Sequence, residues 1–226
     1  MKRILIATGL LFCSTVVNAY SISEVDQAAS AMNLEQLEVY AAESAQPYVQ
    51  AYAHYRLATM TIESDDQTLA REAIASAEQL LSAALDENGN AEHYTLQAAL
   101  LGLKMGLNPR QGMTLGPEQQ RLLAQAEALA PQNPRVELVR GTAAFYTPGA
   151  FGGGLDKAEQ HFKQALNYYQ NPCADICWGH AETLTWLGLV YAQQDKPEEA
   201  RASWREADAV EPGYGWANYL LEQASD

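Results

Sequence analysis

The order of small and large apolar residues in residues 181–214 constrains this chain more than any other feature. Leu184, Leu187, Gly188 and Tyr191 recur at helical spacing along a first segment. Asp195, Lys196 and Pro197 interrupt it, and Ala200, Trp204 and Ala207 then face back from a second segment that Pro212 ends. Two antiparallel helices with this pattern approach closely at Gly188, Ala200 and Ala207, while Leu187, Tyr191 and Trp204 fill the space between them. Pro197 opens the second helix where a missing N–H costs nothing. Composition points the same way. Of 226 residues, 38 are Ala and only 15 are Val or Ile, which favours helices over strands.

Weaker units precede this one. Pro134 starts a helix carrying Gly141 and Ala144, and Ala158, Phe162 and Ala165 mark its partner, with an insert at residues 146–154 between them. Tyr94, Ala98 and Leu101 pair with Leu123 and Ala126 across a long connection, residues 106–117. Ala51, Leu57 and Ala58 pair with Ala73, Ala77 and Leu80 ahead of an Asn88-Gly89-Asn90 stop. Residues 20–46 predict one or two amphipathic helices, with Val25, Ala29, Leu34, Leu37 and Tyr40 as apolar positions. Residues 214–224 predict a final helix on Trp216, Tyr219 and Leu220 that caps the stack.

The unit at residues 181–214 resembles the tetratricopeptide repeat (TPR) at each of its signature positions, and the chain resembles an exported bacterial TPR protein over residues 51–226. That resemblance implies an all-α fold, a right-handed superhelix of antiparallel helix pairs with a C-terminal capping helix. It implies one domain over residues 20–226 that binds a peptide or protein in its concave groove without catalysis or a cofactor. Carried over by position, the groove residues are Tyr52, Tyr55 and Thr59 in the earliest unit and Thr95, beside Glu92 and Ala99, in the next. Arg135, Leu138, Thr142 and Phe145 follow, then Glu182, Thr185, Leu189 and Gln193. Tyr146 and Phe151 in the second insert add a contact surface. The simpler reading of Tyr52, Tyr55 and Phe145 is packing between neighbouring units, since aromatic rings serve both purposes.

The N-terminus reads as an address. Lys2 and Arg3 precede an apolar stretch, residues 4–17, and Val17-Asn18-Ala19 ends it with a small residue at the cleavage point. Residues 1–19 are therefore expected to be a signal peptide, placing the mature protein in the periplasm or outside the cell. No other apolar run is long enough to span a bilayer. The formal charge of −14 argues against nucleic acid and anionic membrane surfaces as partners.

Candidate chemistry is sparse. In an oxidising compartment Cys173 and Cys177 are expected to form a disulfide, although a spacing of four is awkward within a regular helix. The sharper alternative is a metal site of Cys173, Cys177 and His180 with His161 as a fourth ligand, but the spacing matches no zinc pattern. Residues 151–156 invite a phosphate-loop reading, yet neither nucleotide fingerprint surrounds them, so a tight turn needing positive φ is expected. His54, His93, His161 and His180 fall on separate helices or helix starts, with no nucleophile setting beside them. A further alternative is a small-molecule-binding accessory of a transport system, with the two inserts walling a pocket.

Overall fold

The computed structural model describes residues 18–171 and 176–224. Among these residues the chain is all-α, with eleven α-helices, two short 3-10 turns and no strand beyond an isolated bridge between Asn18 and Ser44. Two helices come first, α1 (Ile22–Ser30) and α2 (Leu34–Glu43). Four pairs follow: α3 (Pro47–Thr61) with α4 (Thr68–Asn88), α5 (Ala91–Leu107) with α6 (Gly112–Leu129), α7 (Pro134–Tyr146) with α8 (Leu155–Tyr169), and α9 (His180–Gln193) with α10 (Pro197–Val210). The last helix, α11 (Gly215–Gln223), packs on α10. No helix among the described residues is long and apolar enough to cross a membrane. The expected signal peptide falls almost wholly on residues 1–17, outside the described residues. Cys173 and its expected disulfide lie outside them too.

Local chemistry sets the helix boundaries. Ser21 Oγ accepts from Glu24 N while the Glu24 carboxylate accepts from Ser21 N, a reciprocal cap on α1. Asn90 caps α5 by accepting from the N–H groups of Glu92 and His93, and Asn133 caps α7. Pro47, Pro134 and Pro197 occupy first-turn positions, as expected of Pro197.

Within each pair, close approach falls at the small residues. A Cβ on Gly188 would lie 2.2 Å from Trp204 Nε1, and one on Gly141 would lie 2.4 Å from the Phe162 ring. Trp204 uses that proximity, donating from Nε1 to the Thr185 carbonyl at 3.1 Å. The connection expected over residues 106–117 is shorter than its sequence suggests. Only Asn108 and a 3-10 turn at Pro109–Gln111 intervene before α6, which carries Pro117 inside it. A proline so near a helix start removes a single backbone bond, so the helix tolerates it.

The two ends of the described chain meet. Ser30 Oγ on α1 bonds to the Glu211 carboxylate, and a Cβ on Gly215 would come within 2.6 Å of the Ser30 carbonyl oxygen. Beneath this seam, Arg56 on α3 pairs with Glu182 on α9 at 2.8 Å and lies 3.9 Å from Asp26 on α1. Tyr52 donates its hydroxyl to Asp26. Deep against α3 sits Trp178, which is 1% exposed and packs on Tyr52 and Tyr55 with ring centroids 5.2 and 6.0 Å away. Its Nε1 donates to the Tyr48 hydroxyl at 3.0 Å, and its carbonyl accepts from the Tyr169 hydroxyl at 2.6 Å.

Gly188→Ala tests the pair packing. The added methyl must displace the Trp204 indole, so unfolding free energy should fall by about 1–3 kcal/mol, the usual cost of overpacking. Thermal denaturation followed by circular dichroism should show the loss as a lower Tm, and an unchanged Tm would contradict the close approach.

Candidate functional site

An aromatic strip runs across three helices at one edge of the molecule. Phe145 and Tyr146 end α7, Trp186 lies midway along α9, and Trp216 opens α11. Trp186 is the hub, with ring centroids 5.2 Å from Phe145, 5.7 Å from Tyr146 and 5.0 Å from Trp216, all edge-to-face. Phe162 lies flat beneath it at 6.4 Å. Edge-to-face contact is the arrangement that aromatic quadrupoles favour, so the strip holds its shape without a ligand. Trp186 Nε1 is shielded from solvent and has no hydrogen-bond partner among the described residues.

The loop after α7 extends this strip outward. Tyr146 is 72% exposed and Phe151 81% exposed, an unusual pairing for large rings. The loop is nevertheless well braced. Gly154 N donates to the Ala144 carbonyl at 2.8 Å, Phe151 N to Pro148 O at 2.9 Å, and Lys157 Nζ to Gly152 O at 2.8 Å. Gly152 has φ +86°, and a Cβ on Gly153 would fall 2.1 Å from the Thr147 carbonyl oxygen. The glycines thus form a compact turn, as the sequence suggested, and the turn presents Phe151 to solvent. Partial burial of its ring and then the Glu63 carboxylate raise the Tyr146 phenol pKa. Glu63 follows α3, so the turn after α3 approaches the end of α7 at this edge.

The fourteen residues assigned to an open groove divide sharply. Tyr52, Thr95, Leu138 and Thr185 are fully enclosed, and Tyr55, Arg135 and Glu182 are buried. All seven are withdrawn from solvent, although Arg135 also borders a cleft together with Glu92 and Asn133. Trp178 covers Tyr52 and Tyr55. Arg135 engages Glu92 through two nitrogens, at 2.7 and 2.5 Å, with Asn133 Nδ2 also 2.7 Å from that carboxylate. Glu182 holds Arg56, while Thr95 and Thr185 spend their hydroxyls on carbonyls of the preceding turn. Thr59, Thr142, Phe145 and Leu189 are half-buried, and Tyr146, Phe151 and Gln193 are exposed. The accessible seven lie along the C-terminal halves of α3, α7 and α9 and on the loop after α7. The groove reading missed Trp186 and Trp216. Trp186 sits one turn before Leu189 on α9, and that spacing was the available signal.

The four histidines lie elsewhere. His54 is half-buried on α3, where burial lowers its pKa. His93 meets Tyr48 edge-on at 5.5 Å. His161 Nδ1 lies 2.7 Å from a Glu137 carboxylate oxygen, and His180 stacks flat on Tyr169 at 4.7 Å. His161 and His180 are thus engaged by different partners. No cluster of three or more His, Cys, Asp or Glu able to hold a metal ion occurs among the described residues.

The described residues thus form a helical fold with a strip of contacting aromatic rings along one edge. No protein-family model matches the sequence, and no curated protein matches it. Among solved structures, the chain is similar to the HusA haemophore from Porphyromonas gingivalis, with a TM-score of 0.55 and 25% identity over 77% of this chain and 94% of that one.

Proposed function

We propose that this protein is an exported, TPR-like binding module without catalytic activity that takes a peptide or protein partner on the Tyr146–Phe151–Trp186–Trp216 edge. The carrying observation is the pair of exposed rings, Tyr146 at the end of α7 against the half-buried Trp186 and Phe151 on the braced loop that follows. Rigid aromatic side chains supply large contact area at low entropic cost, which is why they dominate binding hot spots. The succession of helix pairs with glycine at the contact supports a TPR-like superhelix. The basic and apolar pattern of residues 1–19 supports periplasmic or secreted location.

Haem capture is the second reading, favoured by the likeness to a haemophore. It is the weaker one on this geometry. His161 is engaged by Glu137, His180 stacks on Tyr169 and His93 meets Tyr48, so these three imidazoles already have partners.

Photo-crosslinking separates the readings. With benzoylphenylalanine at position 151 of the mature chain, a periplasmic extract of the source bacterium should give a discrete adduct, absent from a control at Arg121 on α6. The adduct should disappear when Tyr146 and Trp216 are both changed to Ala. Equal labelling from both positions would contradict the protein-partner reading. Haemin titration then decides: a saturating Soret shift at one equivalent, abolished by Tyr146→Ala, would replace it with haem capture.

The Cys173–Cys177 staple belongs to the same proposal, since it would tie the segment that delivers Trp178 between α8 and α9. Unreduced mature protein, begun at Tyr20, should show no free thiol under denaturing conditions. Two free thiols would remove the staple.

A further inference from the structure

Arg56 serves two carboxylates, Glu182 and Asp26, and a third, Glu211, acts on Asp26 where α1 meets the turn between α10 and α11. Arg56 from α3 pairs with Glu182 of α9 at 2.8 Å and approaches Asp26 of α1 at 3.9 Å, while Glu211 bonds to Ser30 of α1. With all three acids ionised, the seam carries more negative than positive charge in a space largely withdrawn from water, which is costly unless a proton is taken up. Tyr52 donates to Asp26, and Tyr48, also on α3, lies close enough for its phenol to feel that carboxylate. Tyr214 and Glu211 face the same cluster from the turn between α10 and α11, and His180 faces it from the start of α9. A cleft of about 460 Å³, lined by Ser23, Asp26, His180 and Glu211 among others, runs along the seam and gives protons a route to it.

We propose that α1 is a pH-responsive clasp, held against α3 and the turn between α10 and α11 when Asp26 is protonated and loosened from both when Asp26 ionises. The geometry explains the direction. Asp26 is placed between an acceptor-rich wall, Glu182 and Glu211, and a guanidinium whose shorter contact is to Glu182 rather than to Asp26. Burial is the main influence on Asp26 and raises its pKa. Arg56 and the Tyr52 hydroxyl oppose the rise, Glu211 and Glu182 add to it, and the group is pushed up to about 7. When α1 is free, Asp26 releases its proton near the ordinary carboxylate value of 3.8. The closed seam therefore holds a proton that the open one lacks between those two values. Closure is favoured on the acid side and weakens as pH rises through the window, levelling off above about 7.

Hydrogen exchange measured by mass spectrometry on the full mature chain tests the clasp, with protection factors obtained by dividing out the intrinsic pH dependence of exchange. Protection of α1 amides should fall roughly twentyfold between pH 5.5 and pH 7.5, as one linked proton requires. Amides of α5 and α6, remote from the seam, should change little. Asp26→Asn should make α1 protection independent of pH over that range. Glu211→Gln should raise protection at pH 7.5 and move the dependence to lower pH, and it carries the test if the Asn variant fails to fold. Wild-type protection that does not vary with pH overturns the clasp, as does the wild-type dependence persisting in Asp26→Asn. A Glu211→Gln variant no more protected at pH 7.5 than wild type also overturns it.

Discussion

Trp178 decides which surfaces of this protein are available. Its ring is enclosed against α3, its indole N–H donates to Tyr48 and its carbonyl accepts from Tyr169. A large ring buried with its hydrogen bonds satisfied contributes apolar burial without the cost of a stranded donor. With that space filled, the tyrosines of α3 become core, and the paired charges Arg56–Glu182 and Arg135–Glu92 are enclosed nearby. Removing one partner from such a pair costs about 3–5 kcal/mol, because the remaining charge is left buried and uncompensated. The N-terminal halves of the inner helices are thereby committed to structure. Their C-terminal halves, and the loop after α7, remain open.

That division accounts for what the amino-acid sequence did and did not reveal. Helix positions and pairing were legible because their causes are local: capping residues, first-turn prolines, and small residues at helical spacing opposite large ones. Gly188 against Trp204 and Gly141 against Phe162 lie on neighbouring helices of one pair, so a single unit contains the whole pattern. Whether Tyr52 and Tyr55 line a groove or pack between units stayed open in the sequence, because it depends on Trp178 arriving from a segment more than a hundred residues away. Register within a repeat says which residues turn inward. It does not say what fills the interior. Ionic contacts such as Arg56–Glu182 share this long-range character, and the meeting of α1 with the C-terminal turn was equally invisible.

The aromatic edge lies between these cases. Phe145, Tyr146 and Phe151 were recognisable from their place at the end of a helix and in a glycine-rich insert. Trp186 and Trp216 were not, since one falls between register positions and the other read as part of a terminal cap. Distance shows them to be one surface, each within 6 Å of a neighbouring ring. The likeness to a haemophore covers most of both chains and lies in the helical framework.

The central claim is that the interior is filled by the chain's own Trp178 and that binding belongs to the edge. Hydroxyl-radical footprinting of the unliganded mature protein, read by mass spectrometry residue by residue, tests it most directly. The account predicts rapid oxidation of Tyr146 and Phe151, intermediate oxidation of Trp186 and Trp216, and strong protection of Trp178, Tyr52 and Tyr55. Oxidation of Trp178 and Tyr52 at rates matching Tyr146 would contradict it, because it would show an open interior.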